Sequence, residues 1–368
     1  MTELLEKPLV SVALASYNGE AFLEQQLDSI FTQDYDNFEI VVSDDASSDQ
    51  TKAILTSSRY RDMARQRGVE YRVCCHDDNV GYVKNFQRAV EQCRGQYIAF
   101  CDQDDLWRED KLRLQVEQLV VTGNLANFSD ALLIDADGAS LDLNLIPSVV
   151  TRPLPGKIGH KAFYLSNCVT GCTMIIDRRL METALPFAPL VPHDWWLAYH
   201  AAYRDGLCFY DDTLVSYRQH SSNVYGLGSV VRRKRVKLYL RHKLAKSNIS
   251  FQLVKYSRGL VSIFNRLQSF YQFESTTAKG PSAELEYLQA WISDKLANAE
   301  LNQYREFFKS DSEVFQLFDP SRAMLDRYES GVRKIVKRVI VNTIVLVTVI
   351  ATIILLAIYL TGIIENLG

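Results

Sequence analysis

The chain has 368 residues, 47% of them hydrophobic and 23% charged, with a formal net charge of −3. That composition is globular rather than disordered, collagenous or strongly basic, and the length allows one large domain or two ordinary ones. Seven cysteines, an odd number without paired CxxC spacing, argue against a disulfide framework and fit reduced thiols in a cytosolic domain.

The opening MTELLEKPLV carries acids and no long apolar core, so it does not read as a signal peptide. LVSVALASY (Leu9–Tyr17) reads as a buried strand, and EAFLEQQLDSIFTQ then sets Leu23, Leu27, Ile30 and Phe31 at helical spacing. FEIVVSDD is a second strand ending in carboxylates, and SSDQTKAILTSS suits a helix start. VEYRVCCH is a third strand, NVGYVKNFQRAVEQCR a turn and helix, and GQYIAFCDQDD a fourth strand. Alternation of this kind indicates βαβ units and a parallel sheet covered on both faces. NFSDALLIDADG and CVTGCTMIID give two more strands, expected on an antiparallel edge. HDWWLAYHAAYRDG reads as a helix entered through His193 and Asp194, and LCFYDDTLVSYRQH as the last strand.

The stretch FCDQDDLW, Phe100 to Trp107, puts Asp102, Asp104 and Asp105 directly behind an apolar run. Like charges that close raise one another's pKa unless something positive sits between them. One reading is a solvated turn capping the next helix. The other is a divalent-metal site, with Asp102 and Asp104 pointing the same way from extended backbone. In parallel sheets ligands bind beyond the carboxyl ends of the strands. Asn18, Asp44, Asp45, His76 and the three acids all fall at such ends, which favours the metal reading.

From Pro8 to Asn223 the spaced motifs resemble family 2 glycosyltransferases, which have the GT-A fold. The residues that carry the likeness are VSVALASYNGEAFLEQQLDSIFTQDYDNFEIVVSDDASSDQT, DNVGYVKNFQRAV, FCDQDDLW, TGCTMIID, HDWW and YRQHSSN, in that order. The DQDD…W and HDWW forms look most like bacterial rhamnosyltransferases of surface polysaccharide synthesis. The resemblance implies an inverting transfer from a nucleotide-diphosphate sugar, with a divalent metal (Mg²⁺ or Mn²⁺) on Asp104 and Asp102. Such an ion would act as a Lewis acid on the leaving diphosphate. It implies Asp44 and Asp45 against base and ribose, with Ala15, Ser16, Tyr17 and Asn18 walling the nucleotide. Asn79, Gly81 and Gln103 would complete the nucleotide-sugar pocket. It implies Asp194 as the general base that deprotonates the acceptor hydroxyl. Trp195, Trp196, His193 and Gly171 would lie on the acceptor side, and one of the two tryptophans equally suits the core. His220 reads either as a metal or phosphate contact or as a structural histidine, and Arg218 as a diphosphate clamp.

After His220 the composition changes, so the domain's end is expected near Val230, followed by residues 231-330 and 331-368. No acid occurs between Asp212 and Glu274, while Lys and Arg are dense from Arg232 to Lys246. This segment reads as an interfacial helix against anionic lipid rather than a nucleic-acid site. Val339 to Ile364 carries no charge and is long enough to span a bilayer. Arg333, Lys334, Lys337 and Arg338 precede it, so the positive-inside rule puts the catalytic part on the cytoplasmic side of a single-pass inner-membrane protein. Such placement points to a lipid-linked glycan as acceptor; oligomeric state and the role of residues 273-330 stay open. A processive synthase lacks support because no Arg-Trp pair occurs, and a polyprenyl-phosphate sugar synthase fits HDWW poorly. A catalytically inactive sugar-binding scaffold is disfavoured by the joint presence of Asp44, Asp45, Asp102, Asp104 and Asp194.

Overall fold

The computed structural model describes residues 7–146, 156–164, 167–220, 223, 263 and 265–297. The first half alternates as its hydrophobic pattern requires. β1 (Val10–Ser16) and β2 (Phe38–Asp44) are buried along their whole lengths, as strands covered on both faces must be. Between them α1 (Leu23–Phe31) buries Leu23, Leu27, Ile30 and Phe31, the stripe its spacing predicts. The segment after β2 forms two helices, α2 (Thr51–Leu55) and α3 (Ser58–Arg67), broken at the Thr56–Ser57 turn. β3 (Glu70–Cys75), α4 (Tyr82–Glu91) and β4 (Tyr97–Cys101) follow. Then come β5 (Leu106–Trp107), α5 (Lys111–Thr122), β6 (Ala126–Ile134), β7 (Ser140–Asn144), β8 (Gly156–Lys157) and β9 (Met174–Asp177). The described chain ends with α6 (Met181–Ala184), α7 (His193–Tyr203), β10 (Leu207–Arg218), α8 (residues 265–275) and α9 (Ala283–Ala297).

One sheet runs in the order β3-β2-β1-β4-β9-β6-β10-β5, with β7 on β6 and β8 on β10. The pairs from β3 to β4 are parallel, as expected. β9 does not lie at an antiparallel edge. It sits inside the sheet, antiparallel to both β4 and β6, and its burial on both faces explains the unbroken MIID run. The dipeptide Leu106–Trp107 carries no periodicity of its own, yet it pairs with β10 at the far end of the sheet. Five residue steps from Cys101 to Leu106 reach at most about 18 Å. Four strand spacings on a flat sheet already need about 19 Å. The sheet therefore curls, and the DQDD loop crosses the mouth of the curl.

Beyond the expected boundary near Val230, α8 packs onto α7. Contacts carry the first compact unit from Met1 to Glu300. The reason is an aromatic seam: Phe270 stacks on Tyr199 at 3.9 Å between ring centroids and lies parallel to Trp196 at 6.0 Å. Buried Glu274 accepts hydrogen bonds from the hydroxyls of Tyr164 and Tyr199 and from the Ser282 N–H. Among the described residues no helix is long and apolar enough to cross a membrane. The expected span at Val339 to Ile364 and the basic stretch from Arg232 to Lys246 lie outside the described residues.

Candidate active site

The carboxyl ends of β1 and β2 meet with Ser16 opposite Asp44. Asp44 is fully buried, and its carboxylate accepts from Ser16 Oγ at 3.0 Å, from the Ser47 N–H at 3.0 Å and from Ser47 Oγ. Asp45 takes the Val80 and Gly81 N–H groups, one on each oxygen at 2.9 Å, while Asn79 Nδ2 donates to its carbonyl. The acids expected on base and ribose thus fold the site's own loops: Asp44 closes the 45–47 turn and Asp45 holds the 79–81 turn. Ala46 (φ 64°) and Asn18 (φ 47°) are driven into left-handed backbone beside them, which these bonds must outweigh. Ala15 and Ser16 are buried, whereas Tyr17 and Asn18 are exposed, so Tyr17 is the ring this wall presents.

Gln103 pairs with the Tyr17 backbone in both directions, its Oε1 accepting the N–H at 2.8 Å and its Nε2 donating to the carbonyl at 3.0 Å. A Cβ at Gly19 would stand 2.3 Å from that Oε1, so only glycine fits beneath the tether. Gln103 fixes the Tyr17 loop to the acid loop. Asp104 Oδ2 meets His220 Nε2 at 2.8 Å. Arg218 takes a different task from the expected clamp. It is fully buried, its N–H donates to Asp105 Oδ1 at 2.9 Å, and its Nε donates to the Asp104 carbonyl at 2.9 Å. Its Nη1 and Nη2 reach Ala136 O and Gln25 Oε1, and its plane lies over Phe22. With every guanidinium nitrogen on an in-chain acceptor, Arg218 braces the acid loop from behind.

Burial, then Asp105, Asp104 and Asp194 in that order, push the Asp102 carboxyl well above its usual range. Burial and Asp104 push Asp105 up to about 8. The Asp105 Oδ2 atom is sealed from solvent and has no ordinary hydrogen-bond donor, only the weak thiol of Cys172. Asp102, Asp105 and Cys172 bring donor atoms within 4.8 Å of one another. Burial raises the Cys172 thiol well above its normal range. A neutral thiol suits hydrogen bonding to Asp105 rather than ligation of a hard cation. Mutually destabilised carboxyl groups at a loop mouth are an oxygen set that a divalent cation fits. Of the expected ligands, Asp102 and Asp104 share that loop, and His220 is joined to Asp104.

Across the mouth, α7 starts at His193. Burial pushes Asp194 up to about 7, against the pull of the Trp195 and Gly171 backbone N–H groups, and Trp195 N lies 2.6 Å from Asp194 Oδ1. His193 faces neither Asp194 nor the mouth. Its ring lies 4.0 Å from Phe86 and 5.3 Å from Phe100, and burial pulls it down to about 3, so it is neutral packing. Gly171 is required there because a Cβ would come within 2.7 Å of His193 Nε2. Trp196 belongs to the core, with Nε1 donating to Ala184 O at 2.8 Å. Trp195 stays partly exposed beside Asp194, with Nε1 on Phe163 O at 2.7 Å and the Arg266 guanidinium 3.7 Å over its ring. Arg266 and Glu274 escaped the sequence reading because Tyr164, Trp195 and Tyr199, the side chains they meet across the fold, lie 71 or more positions away; the one hint was Glu274 ending the acid-free run.

The curled mixed sheet with acids at its carboxyl edge and a lone carboxyl on a facing helix defines a GT-A-type nucleotide-sugar-binding class. Residues 11–183 match the family model described as glycosyl transferase family 2, and this part of the chain is a domain of that family. A Bacillus subtilis protein assigned to teichuronic acid biosynthesis, TuaG, is 32% identical over 173 residues, 47% of this chain and 63% of that one. The Escherichia coli UDP-Glc:alpha-D-GlcNAc-diphosphoundecaprenol beta-1,3-glucosyltransferase WfgD is 28% identical, covering 52% of this chain and 69% of that one. The Shigella flexneri dTDP-rhamnosyl transferase RfbG is 26% identical, covering 58% and 73%. The chain thus spans 63% of the length of TuaG, the first of these relatives. In fold, it is similar to the crystal structure of S. aureus TarS 1-349 in complex with UDP, with TM-score 0.50, 18% identity, and 83% and 91% of the two chains covered.

Proposed function

We propose that the chain is an inverting, metal-dependent glycosyltransferase of bacterial surface polysaccharide synthesis. It would move a sugar, rhamnose first among the candidates, from a nucleotide-diphosphate donor to a lipid-linked glycan. The observation that carries the reading is the facing of two acid groups across one mouth. The Asp102–Asp105 loop stands on one side, and Asp194, tuned to about 7, on the other. A carboxyl ionising near neutral pH is matched to general-base work.

In this reading the donor lies along Tyr17 and the 79–81 turn, with its diphosphate toward Asp102 and Asp104. A divalent cation on those two residues would supply Lewis-acid neutralisation of the leaving diphosphate. Asp194 takes the proton of the acceptor hydroxyl as its oxygen bonds to the anomeric carbon. The bond from that carbon to the diphosphate breaks on the opposite face, and the nucleoside diphosphate leaves with the electron pair. One displacement inverts the anomeric centre. Rhamnose is supported by the DQDD…W and HDWW motifs and by the likeness to RfbG, and a lipid-linked acceptor by the likeness to WfgD. The apolar run from Val339 to Ile364 behind four basic residues supports a single-pass inner-membrane enzyme with a cytoplasmic catalytic unit.

The test is a thermal-shift screen of dTDP-, UDP- and GDP-sugars with Mg²⁺ or Mn²⁺, since a ligand of the native state raises the melting temperature by mass action. A metal-dependent shift with one nucleotide class is expected. No shift with any nucleotide sugar overturns the proposal.

A further inference from the structure

Resting on that reading, we infer that Arg266 forms an anion subsite on the acceptor side, taking a phosphate of a diphosphate-linked acceptor beside Trp195. The residue comes from α8, outside the stretch matched by the family. Its side chain is 94% buried, leaving 6% exposed. Among the described residues its guanidinium makes two contacts: Nε donates to Tyr164 O at 3.4 Å, and the plane lies 3.7 Å over Trp195. Nη1 and Nη2 have no acceptor among the described residues and no carboxylate within ion-pair distance there, and neither is sealed from solvent, so both stay open to an incoming group.

That is an unusual state for this group. A buried guanidinium ordinarily sits on a carboxylate or a row of carbonyls, as Arg218 does, because uncompensated burial of charge is costly. Burial without a counter-charge lowers the Arg266 pKa to about 10. The protein nevertheless fixes it there. Phe270, one turn on, stacks on Tyr199, and Glu274 locks the end of α8 onto Tyr164 and Tyr199. A rigidly held cation with two open donors in a fork fits a phosphate or carboxylate. It lies on the indole of Trp195, the residue that follows Asp194. The donor diphosphate belongs at the acid loop, so the anion at Arg266 is the acceptor's.

The purified full chain is titrated calorimetrically with farnesyl diphosphate while UDP and dTDP are held saturating to fill the donor side. Wild type is expected to bind. Arg266→Met keeps the stem on Trp195 but removes the donors, and should weaken farnesyl diphosphate at least tenfold, the scale of one charged hydrogen bond. Arg266→Lys should recover part of the loss. UDP and dTDP affinities should stay within twofold of wild type in both variants, which also shows that they fold. Farnesyl phosphate and farnesol distinguish the sources: binding that follows the phosphates supports the subsite, and binding that follows the farnesyl tail overturns it. Equal farnesyl diphosphate affinity in wild type and Arg266→Met overturns it as well, leaving Arg266 a prop for Trp195. If none of UDP, dTDP and GDP binds the wild type, the glycosyltransferase reading itself fails and the subsite with it; if GDP alone binds, GDP fills the donor side in the titration.

Discussion

Replacing Asp194 by Asn should make the protein more stable and nearly inactive. The carboxyl's pKa is raised from 3.8 to about 7, with burial the largest cause. A group whose folded pKa lies above its unfolded value contributes stability at low pH and loses it as pH rises. Below pH 4 it is protonated in both states and costs nothing. Between pH 4 and pH 7 the unfolded chain releases a proton that the native protein keeps, so wild-type stability falls with rising pH. Above pH 7 the buried charge costs its full amount. A shift of about 3 units at 1.36 kcal/mol each is on the order of 4 kcal/mol, an upper value because solvent reaches part of the site. Asparagine is isosteric and neutral, so the variant should lack this slope. Urea melts of both proteins at half-unit steps from pH 4.5 to 8.5 should show the variant gaining on wild type up to pH 7 and then running parallel. Sugar transfer should fall by roughly 10²–10⁴-fold while donor affinity holds. A variant that tracks wild-type stability across this range would refute the burial argument, and near wild-type transfer would place the base elsewhere.

Three other changes follow from the geometry. Asp104→Ala should abolish the metal-dependent part of nucleotide-sugar affinity in calorimetry while the melting curve stays cooperative; equal affinity with and without chelator in wild type and variant would remove Asp104 from the metal set. Arg218→Met should cost about 2–4 kcal/mol of stability in urea, because it strands the Gln25, Ala136 and Asp104 acceptors behind the acid loop; unchanged stability with a raised donor KM would restore it as a diphosphate clamp. Deleting Val339 to Gly368 should leave salt-sensitive binding to anionic liposomes, at about 1 kcal/mol for each basic residue from Arg232 to Lys246 that reaches the surface; flotation with no bound fraction at low salt would make that segment a solvated face.

What was legible in the sequence divides by the range of the interactions. The alternation from Val10 to Cys101 and the acids at strand ends are local patterns, and the sheet follows them. The roles inside the site are less local. Asp44 and Asp45 could be seen to stand at a strand end, but not that Ser47 and the 79–81 turn would occupy their oxygens. Gln103 stood unremarkable between two acids until its tether to Tyr17 was seen. β5 is two residues long, too short for any period, and its pairing with β10 turns Arg218 inward under the acid loop. HDWW displays four polar or aromatic side chains in a row, and helical geometry sends them in four directions. His193 goes to Phe86, Trp196 to the core, Trp195 to Arg266, and Asp194 alone toward the acids.

The proposed acceptor side is built differently from the proposed donor side, and the difference bears on specificity. Tyr17 and the 79–81 turn are held by bonds among residues inside the family match, whereas the acid loop is also braced by Arg218 and His220, which lie beyond it. Asp194 and Trp195 lie beyond that match and are fixed by α8, whose sequence answers to Tyr164, Tyr199 and Trp195 rather than to the nucleotide. A change in α8 reaches Trp195 without touching the Tyr17–Gln103 tether or the 79–81 turn, the parts proposed to hold the donor. The helix is not free to move, however, because Phe270 and Glu274 anchor it to the same α7 that carries Asp194. In the proposed function, acceptor choice and the position of Asp194 are therefore linked through α7. A substitution in α8 that alters which glycan is accepted should also shift the pH at which Asp194 ionises, whereas one in the Tyr17 loop should change donor preference and leave that pH alone.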